Sequence, residues 1–274
     1  MIGWDAAPPP QAPPLTPGGW LRVALRGLAL GLVTFGGLGV LLLTRLVERP
    51  LFGLRRPVTP YITRFVCRSA FVILGLSHVS RGRPMRGEGA IVANHSSWLD
   101  IFALNACDLV YFVAKAEVKG WAGIGWLARA TGTLFINRDT REAARQRALF
   151  EARLDAGHRL LFFPEGTSTD GLRVLPFKST LFAAFFAPEI RDTCEIQPVT
   201  LIYTAPEGAD RAFYGWWGEM AFAPHLARVL AARRQGRVEV VFHAPLAVRD
   251  FADRKALAQA AEAQVRAALP WTDS

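Results

Sequence analysis

The chain has 274 residues, 51% of them apolar, with 32 Lys and Arg against 23 Asp and Glu for a formal net charge of +9. That length suits one generous domain plus an attachment region, and the apolar share fits a soluble fold with a greasy appendage. The charge has two readings, attraction to an anionic partner or a generally basic surface, and nucleic acid is disfavoured because the chain is apolar and lacks nucleic-acid motifs. Cys67, Cys107 and Cys194 stand far apart with no CxxC pair. Neither a disulfide framework nor a zinc site is indicated, and a reducing compartment fits.

Residues 1–19 carry six prolines, no Lys or Arg and no apolar period, which reads as a disordered tail. From Gly27 to Thr44 there is no charged residue. Such a run, as helix, rises roughly 27 Å, close to the hydrocarbon thickness of a bilayer. Arg22 and Arg26 precede it and Arg45, Arg49, Arg55 and Arg56 follow, an asymmetry that puts the C-terminal side in the cytoplasm, at the inner membrane of a bacterium. Gly31, Gly36, Gly37 and Gly39 leave open a helix that enters and returns. The shorter stretch Phe65 to Ser77 carries Arg68 and is read as interfacial or as packed on the soluble part. The division expected is a tail over 1–19, a membrane-anchoring helical region over 20–77 and an α/β domain over 78–274.

Beyond residue 88 short apolar runs alternate with longer amphipathic ones. The strands expected are Gly89–Ala93, Leu109–Ala114, Gly132–Ile136, Arg159–Phe163, Ile196–Tyr203 and Val238–His243. The helices expected are Trp98–Cys107, Val118–Thr131, Thr140–Ala156, Ser179–Ala187, Pro224–Arg234 and Ala252–Ala268. This alternation predicts an α/β fold with a central mixed sheet flanked by helices.

Four segments carry chemistry. In NHSSWLD, Asn94 to Asp100, Ser97 and Asp100 have the spacing of a helix N-cap and its third residue, which leaves His95 in the preceding turn. One reading brings the imidazole beside the carboxylate as a general base with its orienting partner. The other makes Asp100 a capping residue beside an incidental histidine. In GTLFINR, an apolar strand delivers Arg138 at its end, where a guanidinium grips a phosphate or carboxylate two-pronged. Arg141, Arg145, Arg147 and Arg153, beyond it, read as a solvated helical face. In LLFFPEGTS, Pro164 and Gly166 fix a turn presenting Glu165, Thr167 and backbone N–H groups. In IQPVTL, Pro198 interrupts an apolar strand, by itself an edge-strand or bulge signal. Trp121 and Trp126 suit either an interfacial face or core packing. No GxSxG elbow supports a serine nucleophile.

HxxxxD, FINR, FPEGT and a strand proline, in this order over residues 88–205, resemble the glycerolipid acyltransferases, whose type member is 1-acylglycerol-3-phosphate acyltransferase. The resemblance implies that His95 is the base and Asp100 its partner. It implies a substrate-binding set of Asn94, Phe135, Asn137, Arg138, Pro164, Glu165, Gly166, Thr167 and Pro198, with Arg138 and the Glu165–Gly166–Thr167 turn on the acceptor headgroup. Acyl-carrier protein or acyl-CoA is the implied donor and a lysolipid the acceptor, without metal, cofactor or covalent intermediate. Phosphate-accepting members often place Arg directly after EGT; here the residue is Ser168. The stretches TDGLRVLPFKSTL and FYGWWGEMAFAPHL resemble the bacterial lyso-ornithine lipid acyltransferases, which acylate the 3-hydroxyl of an amide-linked chain.

Overall fold

The computed structural model describes residue 4 and residues 8–10, 13–121, 123–137 and 143–271. Its first element, α1 (Pro17–Phe52), runs 36 residues, roughly 54 Å at 1.5 Å per residue. The helix starts before the uncharged run because Thr16 caps it: the Thr16 hydroxyl accepts the Gly19 N–H at 3.2 Å, and Pro17 supplies a φ already suited to a first turn. Residues 17–19 are therefore helical, which corrects the tail boundary. After Gly53, whose φ of +60° ends the helix, α2 (Thr59–Leu74) runs back antiparallel to α1. The two backbones come close at Gly37, where a Cβ would collide with the Val66 side chain.

Both helices face two ways. On α2, Cys67, Ala70, Phe71 and Leu74 share one stripe at helical spacing and are buried against the rest of the protein. On α1, Leu21, Leu25, Leu28 and Leu32 form an opposite stripe that is 60–66% exposed. An apolar surface of that extent on both helices marks a membrane or protein contact.

The remaining chain is a mixed sheet between two helical layers. Its strands are β1 (Ser77–Arg81), β2 (Gly89–Ala93), β3 (Val110–Lys115), β4 (Leu134–Ile136), β5 (Arg159–Phe162), β6 (Glu195–Thr204), β7 (Arg237–Phe242) and β8 (Leu246–Ala247). They lie in the order β1-β7-β6-β2-β5-β3-β4, with β8 on β6. From β6 to β4 all neighbours are parallel, while β7 and β8 run against β6. Side chains alternate across the sheet. Ile91, Leu161, Leu201 and Tyr203 meet α2, α3 (Leu99–Cys107) and α7 (Phe222–Ala231). Ala90, Leu160, Phe162 and Ile202 meet α5 (Ala143–Asp155) and α8 (Arg254–Ala267) on the other face. Two short helices, α4 (Ile124–Thr131) and α6 (Pro188–Arg191), complete the chain.

Three expectations need correction. Residues 118–131 do not make one helix: a 3-10 turn at Ala116–Gly120 is followed by Gly123 at φ +71° before α4 starts. Residues 179–187 hold a 3-10 segment, Leu181–Phe186, not an α-helix; its three-residue period stacks Phe182 and Phe185 on one side, and both are fully buried. Pro198 is not on an edge. It lies in β6, a central strand, opposite Val92 of β2. Its carbonyl points the other way, accepting the His243 N–H, so its missing N–H falls where β6 changes partner from β8 to β7. The edge strand β1 was not foreseen, because SHVSR is mostly polar and carries no apolar run. Of the helix expected over 140–156, residues 140–142 lie outside the described residues.

The arginines around the apolar helices are tied to the protein. Arg22 donates to Ala231 O at 2.7 Å, and Arg26 to Leu230 O and Ala232 O, at the C-terminus of α7. Arg56 reaches Ala130 O at the end of α4, while Arg64 and Arg68 reach Ala106 O and Cys107 O at the end of α3. Each guanidinium thus meets the negative end of a helix dipole and orphan carbonyls. At the hairpin, buried Glu48 accepts from Val58 N–H, Thr59 N–H, the Thr59 hydroxyl and Arg45, serving as the cap of α2 from α1. Glu48→Ala leaves these buried donors unmatched, so we expect a loss of about 1–3 kcal/mol, read as a lower unfolding midpoint in detergent with α2 the first segment to exchange amide protons.

Candidate active site

β2 ends at Ala93 on the C-terminal edge of the parallel strands, where ligands of open sheets collect. Asn94 prolongs the ladder with its side chain: Nδ2–H donates to Leu201 O and Oδ1 accepts Leu201 N–H, at 3.0 and 2.7 Å. That pins the next residue. His95 donates its backbone N–H to Glu165 Oε1 at 2.7 Å, and its ring stacks on Phe163 with centroids 4.0 Å apart and planes 10° from parallel.

The ring Nδ1 lies 2.7 Å from Asp100 Oδ2. A buried carboxylate with N–H donors around it only accepts, so the proton sits on Nδ1 and the Nε2 lone pair is free. Nε2 has no partner among the described residues, and the side chain is 23% exposed. Asp100 is fully buried yet accepts four hydrogen bonds: from His95, from the N–H groups of Ser96 and Ser97 at 2.8 and 2.9 Å, and from the Tyr203 hydroxyl at 2.7 Å. The contacts expected from each sequence reading of this motif, carboxylate to imidazole and carboxylate to backbone, are both present. Asp100 reaches back to the first turn of α3 as a capping residue does, and the same oxygen holds the imidazole.

Glu165 occupies the other side of the loop. It is 1% exposed, with Oε1 on the His95 N–H and Oε2 on the Leu175 N–H, both at 2.7 Å. Burial pushes its carboxyl up to about 8, the Asp100 charge acting the same way and the two N–H donors opposing. The turn after it wraps the His95 loop, with Thr169 N–H donating to His95 O and Gly171 packing on Ser96, while Trp216 N–H, from beyond β6, donates to Ser96 O. Gly166 takes φ +74°, and the N–H groups of Thr167 and Ser168 have no partner among the described residues. Pro164 is buried, with its carbonyl on Lys178 N–H.

The fold thus gathers Asn94, His95, Asp100, Pro164, Glu165, Gly166 and Thr167 within one loop pair, with Pro198 in the sheet beneath. Phe135 lies in β4, with Asn137 directly after it, three strands from β2 and so about 14 Å across the sheet. Arg138 lies outside the described residues. Tyr203, Phe163, Thr169 and Trp216 were not singled out from sequence. For Tyr203 the signal was there: it lies two residues beyond Leu201 and so on the same face of β6, although its partner could not be read.

Between about pH 4.5 and about 8 the folded protein holds the Glu165 proton more tightly than the unfolded chain does, so this group's contribution to stability falls as pH rises through that window. Urea unfolding in detergent at about pH 6 and about pH 8.5 should show a drop in wild type that shrinks in Glu165→Gln. The variant should be the weaker protein at the lower pH, because an amide NH₂ there must face one of the two N–H groups.

The acyltransferase family model matches residues 75–202. The chain is 61% identical to the lyso-ornithine lipid O-acyltransferase of Rhodobacter capsulatus over 96% of this chain and 95% of that protein. It is 34% identical to the 1-acyl-sn-glycerol-3-phosphate acyltransferase of Neisseria gonorrhoeae, over 70% and 73% of the two chains. The crystal structure of the 1-acyl-sn-glycerophosphate acyltransferase from Thermotoga maritima shares the fold, with a TM-score of 0.63 at 21% identity over 92% of this chain and 94% of that one. With its histidine held on a buried aspartate at the open edge of such a sheet, this chain belongs to the acyltransferase family, alongside the lyso-ornithine lipid O-acyltransferases.

Proposed function

We propose that this enzyme moves a fatty acyl group from a thioester, carried by acyl-carrier protein or coenzyme A, to the free hydroxyl of a lyso-ornithine lipid. The observation that carries the reaction is the free Nε2 of a histidine fixed on Asp100. The acceptor rests on the 61% identity and on Ser168, which stands where phosphate-accepting members often have Arg.

Nε2 removes the hydroxyl proton as the oxygen attacks the thioester carbonyl, forming the C–O bond. Asp100 stabilises the imidazolium, and the Thr167 and Ser168 N–H groups are the donors for the oxyanion. Collapse breaks the C–S bond, and the imidazolium proton goes to the leaving thiolate. In this reading Asn94 and Glu165 position the histidine loop rather than touch the headgroup, since their polar atoms are taken by backbone. Arg138 is assigned to the acceptor carboxylate.

For the membrane, α1 is long and apolar enough to cross a bilayer. It is also bonded to α7 near its start and to α2 near its end. That supports a helix lying along one leaflet with its outer stripe in the acyl chains, on the cytoplasmic side of the inner membrane, over one that threads the bilayer.

His95→Ala should abolish lysolipid-dependent thiol release while leaving the fold intact; near-normal turnover would defeat the mechanism. Asp100→Asn should lose much but less, and Tyr203→Phe should lower kcat about 10- to 100-fold, the loss of a hydrogen bond to a buried charge of about 1.5–3 kcal/mol.

The acceptor is tested with lyso-ornithine lipid and lysophosphatidate side by side. Wild type should favour the aminolipid. Ser168→Arg should move the kcat/KM ratio toward lysophosphatidate by adding a cation near the phosphate and the ornithine amine. Arg138→Ala should raise KM for both. A wild-type preference for lysophosphatidate would establish the alternative, a strict 1-acylglycerol-3-phosphate acyltransferase.

A further inference from the structure

At the edge of the sheet opposite His95, where β3 and β5 begin, four basic side chains gather around Tyr111 with little acid to balance them. His158 stacks on the Tyr111 ring, 3.9 Å between centroids and 24° between planes. Arg153 lies over the same ring, 4.6 Å from its centroid. Arg56, from the turn between α1 and α2, packs on Gly132, and Arg45 comes from the last turns of α1. Glu48 is the acid within reach, and it is already saturated by Arg45, Val58 and Thr59. Asp108, near the start of β3, is bound by Arg159 at 2.6 Å.

These cations keep unused donors. Among the described residues, Arg56 gives one N–H to Ala130 O and Arg153 one to Gly132 O, of five each. The Arg153 Nε is buried and has no partner among them. His158 is 4% exposed, and neither ring nitrogen makes a hydrogen bond of ordinary geometry, although the Leu54 backbone approaches the ring. Burial first, then Arg153, Arg56 and Arg45, push the imidazole down to about 3, and the same crowding takes Arg153 down to about 10. A narrow crevice lined by Pro60, Thr63, Tyr111 and Thr131 opens beside the cluster.

A fold that collects positive groups and leaves buried donors unmatched is built for an anion. We propose that Arg56, Arg153 and His158 bind a phosphate group at this edge, a site separate from the catalytic loop and independent of which lipid is acylated. Two sources share that chemistry. The apolar residues Leu51, Phe52, Leu54 and Val58 surround the turn that carries Arg56 and are at least half exposed, which sets the cluster at headgroup depth if they enter a bilayer and makes an anionic phospholipid one source. Soluble phosphate, free or on a nucleotide-bearing acyl donor, is the other.

The imidazole itself reports occupancy. In full-length protein with ¹⁵N-labelled histidine in neutral maltoside detergent, the His158 signal, assigned with His158→Gln, is followed against pH. Phosphatidylglycerol or inorganic phosphate is then added separately. A bound anion should raise the His158 midpoint by about 1–3 units, a roughly 10- to 1,000-fold gain in proton affinity. A rise with phosphatidylglycerol alone identifies a membrane-lipid site, and a rise with inorganic phosphate as well identifies a general phosphate site. Arg56→Lys with Arg153→Gln should abolish the rise while thiol release in detergent stays unchanged. An unmoved midpoint with both anions, or a rise that survives in the double variant, overturns the proposal.

Discussion

A carboxylate deprived of all solvent is among the most expensive groups a fold can hold, and Asp100 is tolerated because four donors converge on it. Those donors come from three places: the histidine, the backbone entering α3 and a tyrosine on β6. Each is fixed by something else. Asn94 ties the loop to β6, Glu165 holds the His95 backbone, and Trp216 and Thr169 hold the loop from outside. The imidazole is therefore oriented by the fold itself, and the carboxylate beside it is already desolvated. Loss of one donor affects the whole set, because the remaining groups were arranged around a fully satisfied oxygen pair.

Glu165 extends the same logic one layer out. Its two oxygens bridge the His95 N–H and the Leu175 N–H, so the two loops that build the site are joined through a single buried side chain. Burial, with the Asp100 charge adding to it, pushes the Glu165 carboxyl up to about 8. Four donors converge on Asp100 and two backbone N–H groups on Glu165, so Asp100 holds the imidazole and Glu165 holds the loops.

Much of this was legible in the sequence. Six strands were found nearly in place because each is a short apolar run bounded by turn residues, and the HxxxxD spacing contained both the backbone contacts and the imidazole contact of Asp100. What failed did so for local reasons. Gly120 and Gly123 broke a pattern that reads as one helix, and a three-residue period in LFAAFF cannot be told from a helical one over six residues. Pro198 in a central strand needed knowledge of where β6 changes partners, and Tyr203 needed knowledge of which helix packs on β6. The flanking arginines, counted in the sequence as a topology signal, also hold structure: Arg22, Arg26 and Arg56 are bonded to the ends of α7 and α4.

Those bonds bear on how a lipid would reach the histidine. α2, α3 and α7 pack on one face of the sheet, the face that also carries Tyr203, and α1 lies against α2 and α7. Aromatic rings continue on that side from Trp98 through Phe222 and Trp216 to Trp121, which is 44% exposed. The apolar helices, the aromatic path and the network of His95, Asp100 and Tyr203 thus share a single layer. Arginines anchored on helix ends fix the distance between the apolar stripe and the loop. A helix bonded near both ends keeps its apolar stripe in a fixed relation to α2 and α7, two of the helices that cover the face carrying Tyr203.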